Sequence, residues 1–235
     1  MCKSSVVLDL EETIISVTLL PPPNTPYLKL PIPAIRRYVY IRFRPHFAQF
    51  FDELLKNKVD VFFFTSMPKK VASPIIDSLF TNPIISSHPC SLVSQTDYIS
   101  TDPQANIIPE SHRFYREDCT IENGYFVKDL ARISQMGLID LNRTILIDDT
   151  LGCAQKHPHL HYQIKPWQGD CADDHELLDI LPLILNRITN QAHLSKRGVL
   201  SEEVALEESL MPTNLLSSDL VESILSPSSY NVILV

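Results

Sequence analysis

Glycine and paired cysteines are scarce in this sequence, and each shortage restricts what the chain can be. Only 5 of the 235 residues are glycine whereas 18 are proline, so the sequence predicts stiff rather than flexible turns. The cysteines are odd in number and no two are spaced as CxxC; they are Cys2, Cys90, Cys119, Cys153 and Cys171. This pattern argues against a disulfide framework and a thiolate zinc site, and it favours a reducing compartment such as the cytoplasm.

Long apolar runs and an excess of positive charge are also lacking. No apolar run approaches the ~20 residues of a membrane span, and the N-terminus shows no signal-peptide pattern, so no membrane span is expected. The formal net charge of −8 argues against a nucleic-acid partner that is held mainly through its phosphates. The remaining composition, 44% hydrophobic and 20% charged, is that of a globular protein with one full core and a small appendage.

Short apolar segments alternate with amphipathic helical segments between residues 6 and 188. The segments predicted as strands are 6–10, 36–45, 59–67, 142–150 and 161–167. Those predicted as helices are 46–57, 68–80 with a break or bend at Pro74, and 173–188, while 125–137 runs from strand into helix and ends at Gly137. Alternation of this kind predicts an α/β fold with a parallel sheet and helices on both faces.

Two irregular stretches interrupt this alternation. Residues 21–33 are rich in proline, which lacks a backbone donor and fixes φ, so we expect an extended surface loop there. A proline-rich ligand for a partner domain is the alternative. Residues 81–124 show no long periodic pattern and are interpreted as an insertion, either a loop or a small sheet. The predicted domain, with this insertion, spans residues 1–190.

Residues 191–235 are predicted to form a C-terminal helical extension or tail. Within them, 200–210 has the pattern of an acidic amphipathic helix with Ser201 as its cap. Such a segment packs as an extra subdomain, binds an unknown partner or stays mobile. Its glutamate cluster also resembles the export signals of bacterial effectors that are delivered into host cells. The apolar ending YNVILV suggests that the chain is a fragment of a longer protein.

Polar side chains gather where the predicted strands end. They are Asp9 and Glu11, Thr65 and Ser66, Lys128, and Asp148 and Asp149. Because ligands of open parallel sheets bind at the carboxyl ends of the strands, we expect these residues to share one site. Clustered carboxylates are hard oxygen ligands suited to Mg²⁺, and a cation offsets their mutual repulsion. A lysine and hydroxyl groups suit a phosphate dianion, and a carboxylate beside it can act as a nucleophile.

Four motifs in this order carry a family resemblance. LDLEET, FFFTS, YFVKDL and ILIDDT resemble the motifs of haloacid-dehalogenase (HAD) superfamily phosphatases, in the branch of small C-terminal-domain phosphatases and NLI-interacting-factor-like proteins. With RFRP, YREDC, PW and DDHELLDILP, the resemblance spans roughly residues 4–188. It implies a Rossmann-like fold: a central parallel sheet flanked by helices, a small β insertion, no large cap and extra C-terminal helices.

The resemblance also implies a role for each site residue. Asp9 would be the aspartyl nucleophile and a metal ligand, and Glu11 the general acid/base whose backbone carbonyl also binds the metal. Phosphate would be bound by Thr65, Ser66 and Lys128. The Mg²⁺ site would be completed by Asp148 and Asp149. The family has aspartate where this chain has Glu11, which is its main departure from the pattern.

The longer acid/base side chain bears on the substrate. A misplaced general acid harms an alkyl leaving group more than a phenoxide of pKa ~10, because the phenoxide needs less protonation. We therefore predict a phosphoprotein phosphatase that favours phosphotyrosine. The alternatives are the family's majority activity on phosphoserine and phosphothreonine, a catalytically weak binding or scaffold protein, and a small-metabolite phosphatase.

Other charged and nucleophilic side chains have plainer interpretations. Five arginines are expected to be solvated charges, with contact to an acidic phosphopeptide as the alternative; they are Arg36, Arg42, Arg44, Arg113 and Arg116. The HPHLH segment at 157–161 is expected to be a loop, with a metal site as the alternative. No cysteine has an arginine six residues later, so Cys119 and Cys153 are predicted to be small apolar residues rather than nucleophiles.

Overall fold

A five-stranded parallel sheet forms the centre of the computed structural model, which describes residues 3–23, 25–81 and 108–197. The strand order is β10-β9-β1-β5-β6. The strands are β1 (Ser5–Leu8), β5 (Asp60–Phe64), β6 (Arg113–Phe114), β9 (Thr144–Asp148) and β10 (His161–Gln163). The predicted α/β fold with a parallel sheet is confirmed.

The central strand β1 shows why its sequence is apolar throughout. It lies between β5 and β9, with Leu8 opposite Phe63 on one side and Ile147 on the other. Alternate side chains of β1 enter two different apolar clusters, Val6 and Leu8 in one and Val7 in the other. Since both faces of the sheet are covered, no position in the strand favours a polar residue until the strand ends.

Helices cover both faces. They are α1 (Phe47–Lys56), α2 (Lys69–Thr81), α3 (Leu130–Gln135) and α4 (Glu176–Arg197). The cluster around Val6 and Leu8 includes residues of α1, α2 and α4, and the cluster around Val7 includes Leu130 and Ile133 of α3. Helix α2 continues through Pro74 instead of breaking there. Within the described residues, no helix is long and apolar enough to cross a lipid bilayer.

Two small antiparallel sheets accompany the central sheet, and one of them corrects a prediction. They comprise β2 (Ile15–Thr18), β3 (Leu28–Ile32) and β4 (Arg37–Phe43), and the hairpin β7 (Thr120–Glu122) and β8 (Tyr125–Val127). The loop predicted over 21–33 is therefore wrong for its second half, which is β3. Pro31 is accommodated because β3 is an edge strand, and only one side of an edge strand needs backbone donors.

The predicted insertion at 81–124 divides into different parts. Strand β6 joins the edge of the central sheet, β7 belongs to the hairpin, and residues 82–107 lie outside the described part of the chain. Across 3–23, 25–81 and 108–197 no large cap is present, as the family resemblance implied. The division at residue 190 stays a prediction: α4 continues to Arg197, and the extension at 198–235 lies outside the described residues.

Two of the arginines that were expected to be solvated are buried, so that expectation is wrong for them. Arg44 donates from Nε and Nη2 to the carboxylate of Asp174 at 2.8 and 2.9 Å, and from Nη1 to the carbonyl of Thr13 at 3.0 Å. Arg113 donates to Asp77 at 2.7 Å. The alternating pattern shows which strand residues share a face, but it does not show what packs against that face.

Replacing Asp174 by asparagine is expected to lower the free energy of unfolding by about 3 kcal/mol at neutral pH, because the buried Arg44 loses its charged partner. Although partial burial raises the pKa of Asp174, the hydrogen bonds and charge of Arg44 outweigh it and hold that pKa below its usual 3.8. The stabilisation is therefore present above about pH 4 and is lost as the pH falls further. Urea unfolding at several pH values measures this, with the exposed Asp173→Asn as the matched control.

Equal losses in the two variants would contradict the prediction. So would a difference between Asp174→Asn and wild type that does not narrow below about pH 4.

Candidate active site

Three carboxylates converge at the carboxyl ends of the two central strands. Asp9 directly follows β1, and its backbone N–H continues the strand pairing by donating to the carbonyl of Ile147 at 3.0 Å. Asp148 is the last residue of β9, and Asp149 follows it. One carboxylate oxygen from each of the three lies within 4.8 Å of the others. Parallel pairing of β1 and β9 in this register is what brings residues 139 positions apart to one place.

Lys128 lies between two of these carboxylates. Its Nζ is 2.6 Å from Oδ1 of Asp9 and 2.5 Å from Oδ2 of Asp148, and its side chain is 1% exposed. The backbone holds it there, since the N–H of Lys128 donates to the carbonyl of Cys153 at 2.8 Å. The next residue, Asp129, caps α3 by accepting from the N–H of Ala131 at 3.0 Å. The lysine is therefore fixed at both its backbone and its charged end.

The electrostatic balance of this cluster is negative. Burial raises the pKa of Asp9 to about 7; Lys128 opposes this rise, and Asp148 and Asp149 add to it. Burial and the charge of Asp148 also raise the pKa of Asp149. For Lys128, burial favours the neutral form, but the two neighbouring carboxylates outweigh burial and hold its pKa above the ordinary value. One lysine cannot neutralise three carboxylates, so the donor set fits a divalent cation with oxygen preference such as Mg²⁺.

Hydroxyl and amide donors fix the orientation of the Asp148 and Asp149 carboxylates. The N–H of Thr150 donates to Oδ1 of Asp148 at 2.8 Å. Asp149 accepts from the hydroxyl of Thr13 at 3.3 Å and from that of Thr150 at 3.1 Å. Thr13 and Thr150 were not among the predicted site residues, although Thr13 lies within the motif LDLEET and Thr150 within ILIDDT.

Glu11 lies on the turn between β1 and β2. The turn is closed by the N–H of Glu12, which donates to the carbonyl of Ile15 at 2.8 Å, and Glu12 has a left-handed φ of 59°. Burial raises the pKa of Glu11 to about 7, and the charges of Glu12 and Asp149 add to the rise. A carboxyl group with a pKa near 7 is partly protonated at neutral pH, which suits a residue that both donates and accepts a proton.

Thr65 and Ser66 follow β5 at the same edge of the sheet. Thr65 is buried; its N–H donates to the carbonyl of Phe114 at 3.0 Å, and its hydroxyl accepts from the N–H of Met67 at 3.1 Å. The carbonyl of Ser66 accepts from Nε of Arg116 at 2.6 Å. Because β1 and β5 are paired in parallel, both residues lie at the strand ends that carry Asp9. The structure thus joins Lys128 directly to two carboxylates and places Thr65 and Ser66 at the same edge of the sheet.

The histidines of the 157–161 segment have separate partners. His157 contacts Asp129 at 3.2 Å, and Nε2 of His161 contacts the carbonyl of Asp148 at 2.9 Å. The carbonyl of His159 accepts from Arg187. Among the residues that the structure describes, the one group of potential metal ligands is Asp9, Asp148 and Asp149, so the metal alternative for HPHLH finds no support.

Magnesium is expected to raise the melting temperature of the wild-type protein, because a ligand that binds only the folded state stabilises it. A ligand present at about 100 times its dissociation constant adds about 2.7 kcal/mol. Asp149→Asn removes a candidate ligand and should abolish at least about half of the shift. Thermal unfolding with and without MgCl₂ measures this, with the exposed Asp170→Asn as the control. Equal shifts in wild type and Asp149→Asn would contradict the assignment of Asp149.

Comparison with known proteins identifies the family. The model of the family described as NLI interacting factor-like phosphatase matches residues 4–99 and 94–194. The chain belongs to this family. Membership confirms the resemblance of the four motifs to the small C-terminal-domain phosphatase branch of the HAD superfamily.

Individual proteins are similar to this chain over most of its length. A probable C-terminal domain small phosphatase from Dictyostelium discoideum is 30% identical over 181 residues, which is 77% of this chain and 49% of the relative. CTD nuclear envelope phosphatase 1B from Danio rerio is 28% identical over 188 residues, or 76% of this chain and 64% of the relative. The chain therefore spans about half to two thirds of these relatives. The solved structure of Fcp1, an essential RNA polymerase II CTD phosphatase, is 20% identical with a TM-score of 0.48, over 90% of this chain and 55% of that one.

Proposed function

We propose that this NLI interacting factor-like phosphatase is a magnesium-dependent phosphoprotein phosphatase that works through an aspartyl-phosphate on Asp9. The observation that carries the proposal is the buried Lys128, whose Nζ bridges Asp9 and Asp148 at the carboxyl ends of β1 and β9. A buried like-charge cluster is costly to a folded protein, and a pure scaffold has no physical reason to keep it. Transfer of a phosphoryl group gives the cluster a use.

The donor set of Asp9, Asp148 and Asp149, with the backbone carbonyl of Glu11, would hold the cation. When bound, Mg²⁺ supplies positive charge that offsets the negative charge of the phosphoryl oxygens. The protein's own groups would supply the rest. Lys128 brings a second positive charge, and Thr65 and Ser66 lie at the amino end of α2, where backbone amides favour phosphate.

The reaction divides into two displacements at phosphorus. In the first, a carboxylate oxygen of Asp9 forms a bond to phosphorus while the bond to the substrate oxygen breaks, and Glu11 gives its proton to that leaving oxygen. In the second, Glu11 takes a proton from water, and the water oxygen attacks phosphorus. The acyl-phosphate bond breaks, Asp9 is regenerated and inorganic phosphate leaves. Lys128 stabilises negative charge in both steps because it stays protonated.

The substrate class follows from access and from the length of Glu11. No large cap covers the site within the described residues, and an open site admits a protein substrate. Glutamate is one methylene longer than aspartate, which favours a tyrosine leaving group over a serine one. The family's majority preference for phosphoserine and phosphothreonine supports the alternative within the same chemistry.

The thiols of the described cysteines bear on two points, the compartment and the identity of the nucleophile. Cys119, Cys153 and Cys171 are free, which is consistent with a reducing compartment such as the cytoplasm. Burial raises the pKa of Cys119 to about 11 and of Cys153 to about 12. Thiols with such pKa values are poor nucleophiles at neutral pH, which supports a carboxylate nucleophile.

The test compares phosphate release from a phosphotyrosine and a phosphoserine peptide of otherwise identical sequence, with and without Mg²⁺. We expect magnesium-dependent release that favours phosphotyrosine, and we expect Glu11→Asp to raise release from phosphoserine relative to phosphotyrosine. Preference of the wild type for phosphoserine would overturn the tyrosine proposal. No release from either peptide by wild type, with release appearing in Glu11→Asp, would instead support a catalytically weak binding protein.

A further inference from the structure

A loop distant in sequence holds the turn that carries Glu11. The backbone N–H of Trp167 donates to the carbonyl of Glu12 at 2.7 Å. The side-chain amide of Gln168 donates to Oε1 of Glu12 at 3.1 Å. Trp167 is buried, and its indole N–H donates to the carbonyl of Cys171 at 3.1 Å, so the loop is also closed on itself. The conformation of the turn at Glu12 therefore depends on residues more than 150 positions away.

Arg42 of β4 fastens this loop to the small sheet. Its Nη2 donates to the carbonyl of Gln168 at 2.6 Å, and its Nη1 donates to the carbonyl of Gly169. The hydroxyl of Ser16, on the neighbouring strand β2, donates to the same carbonyl of Gln168 at 2.9 Å. The described contacts of the Arg42 guanidinium are to the loop and to Ser16 rather than to a carboxylate, while its Nε is buried without a hydrogen-bond partner.

The loop is shaped to admit this guanidinium. Gly169 has a φ of 82°, and a Cβ atom at this position would overlap the Arg42 guanidinium. Alanine at 169 would therefore push the guanidinium away and strain the backbone. The absence of a side chain at Gly169 thus leaves room for the Arg42 guanidinium, and the carbonyls of Gln168 and Gly169 accept its hydrogen bonds.

The turn at Glu12 depends on contacts from other segments of the chain. A glutamate in the left-handed region is strained, and such a conformation persists only where surrounding contacts hold it in place. Glu12 is held by Trp167 on one side and by Ile15 on the other. Glu11 is the residue before it, so release of Glu12 would move the Glu11 carboxyl group relative to Asp9.

We propose that Arg42 is a positioning residue for Glu11, acting through the 167–169 loop and Glu12. This role rests on the proposed function, in which Glu11 protonates the leaving oxygen. Its signature is a loss that depends on the leaving group. The value of kcat/KM reports the steps up to transfer of the phosphoryl group to Asp9, in which the leaving oxygen takes its proton. A misplaced acid therefore lowers kcat/KM for an alkyl phosphate. It leaves kcat/KM for a nitrophenyl phosphate nearly unchanged, because the nitrophenolate leaving group needs no proton.

The experiment measures kcat/KM of the full chain with a phosphoserine peptide, a phosphotyrosine peptide and p-nitrophenyl phosphate. Arg42→Ala and Gly169→Ala are each expected to lower kcat/KM about tenfold or more for the phosphoserine peptide and by a smaller factor for the phosphotyrosine peptide. For p-nitrophenyl phosphate, kcat/KM should fall by less than about threefold. Arg42→Lys should recover part of the loss. In a Glu11→Gln background, Arg42→Ala should cause little further loss, since the group that it positions is gone.

The chain offers a matched control and an independent reporter. Arg143 is half-buried, and its Nε is buried without a hydrogen-bond partner, as that of Arg42 is. It contacts the hydroxyl of Ser4 at 3.4 Å and lies away from the carboxylate cluster. Arg143→Ala should therefore lower kcat/KM equally for all three substrates or leave it unchanged. Trp167 is the single tryptophan, and its fluorescence reports the loop without any substrate. Arg42→Ala should shift its emission to the red and increase quenching by acrylamide, whereas Arg143→Ala should do neither.

Each contrary outcome has a distinct meaning. A loss in Arg42→Ala that is equal on all three substrates, or one that persists fully in the Glu11→Gln background, would overturn the positioning role while wild-type turnover leaves the proposed function intact. Unchanged Trp167 fluorescence would overturn it as well. A wild type inactive on every substrate would overturn the proposed function and with it this role, even if the fluorescence showed that Arg42 holds the loop.

Discussion

Replacing Asp9 by asparagine is expected to lower kcat/KM for every phosphate monoester by a factor on the order of 10⁴ or more, because the amide oxygen is a far weaker nucleophile than a carboxylate. The same variant is expected to remain folded and at least as stable as the wild type in the absence of Mg²⁺. The two results together separate a chemical role from a structural one. They are informative because Asp9 is buried and directly contacts Lys128, so a structural role is the natural competing explanation.

The expected stability follows from the direction of the pKa shift. Burial and the neighbouring carboxylates raise the pKa of Asp9 from 3.8 to about 7 against the attraction of Lys128. A carboxyl group whose pKa is raised on folding stabilises the folded state when protonated, and that stabilisation is lost as the pH rises from about 4 to about 7. Above about pH 7 the ionised Asp9 destabilises the folded state, and asparagine removes this charge. Lys128 still has Asp148 as its partner in the variant.

Two measurements check this prediction: kcat/KM with p-nitrophenyl phosphate and Mg²⁺, and urea unfolding above about pH 7 without metal. p-Nitrophenyl phosphate is suitable because its reaction needs no acid and therefore isolates the nucleophile. The exposed Asp173→Asn is the control for both. Retention of more than about one hundredth of wild-type kcat/KM would exclude Asp9 as the nucleophile. A loss of stability of about 2 kcal/mol or more would show that Asp9 is mainly structural.

Replacing Lys128 by methionine is expected to abolish measurable activity and to lower the free energy of unfolding by about 3–5 kcal/mol at neutral pH without metal. Methionine keeps most of the side-chain volume, so the loss reports charge rather than a cavity. The lysine is 1% exposed and lies within 2.6 Å of two carboxylates, and its removal leaves the buried Asp9 and Asp148 and the half-buried Asp149 without a cation. Such acids are destabilising until they are protonated or bind a metal.

The pH and metal dependence distinguish this explanation from simple misfolding. Lys128 opposes the raised pKa of Asp9, so its removal raises that pKa above about 7, and the loss of stability in Lys128→Met should become smaller as the pH falls toward about 7. Mg²⁺ should restore more stability to this variant than it adds to the wild type. Urea unfolding across pH, with and without MgCl₂, measures both effects. A penalty that is independent of pH and metal would contradict the prediction.

Lys156 provides a matched control on the same protein. It also has two carboxylate partners, Glu122 and Asp129, both at 2.9 Å, but its side chain is 31% exposed. Ion pairs that water screens contribute little, so Lys156→Met should cost far less than Lys128→Met. Similar losses in the two variants would show that burial is not what makes Lys128 important.

Much of the fold and the convergence of the candidate site residues could be predicted from the sequence alone. The stretch Val6–Leu8 is apolar throughout and ends at Asp9, and residues 144–148 repeat the pattern and end at Asp148. Fully apolar strands indicate a sheet covered on both faces, and a parallel sheet aligns the carboxyl ends of its strands. Convergence of the carboxylates therefore needs no knowledge of individual contacts.

Errors arose where packing rather than pattern decides the structure. Proline near Leu28–Ile32 predicted a loop, but an edge strand tolerates it. The alternating pattern that runs through β4 to Arg44, the residue directly after it, cannot show that Asp174 contacts this arginine. In both cases the deciding partner is an element elsewhere in the chain.

The sequence by itself determined the parallel sheet, the strand ends that carry the acids, and the family motifs, because these depend on side-chain type and on the order of elements along the chain. Only the tertiary structure decided that Lys128 lies between Asp9 and Asp148, and that Arg42 reaches the carbonyls of the loop that holds Glu12. Those contacts join residues 20 to 127 positions apart. Their geometry follows from strand register and loop closure, and no local pattern of residues encodes either.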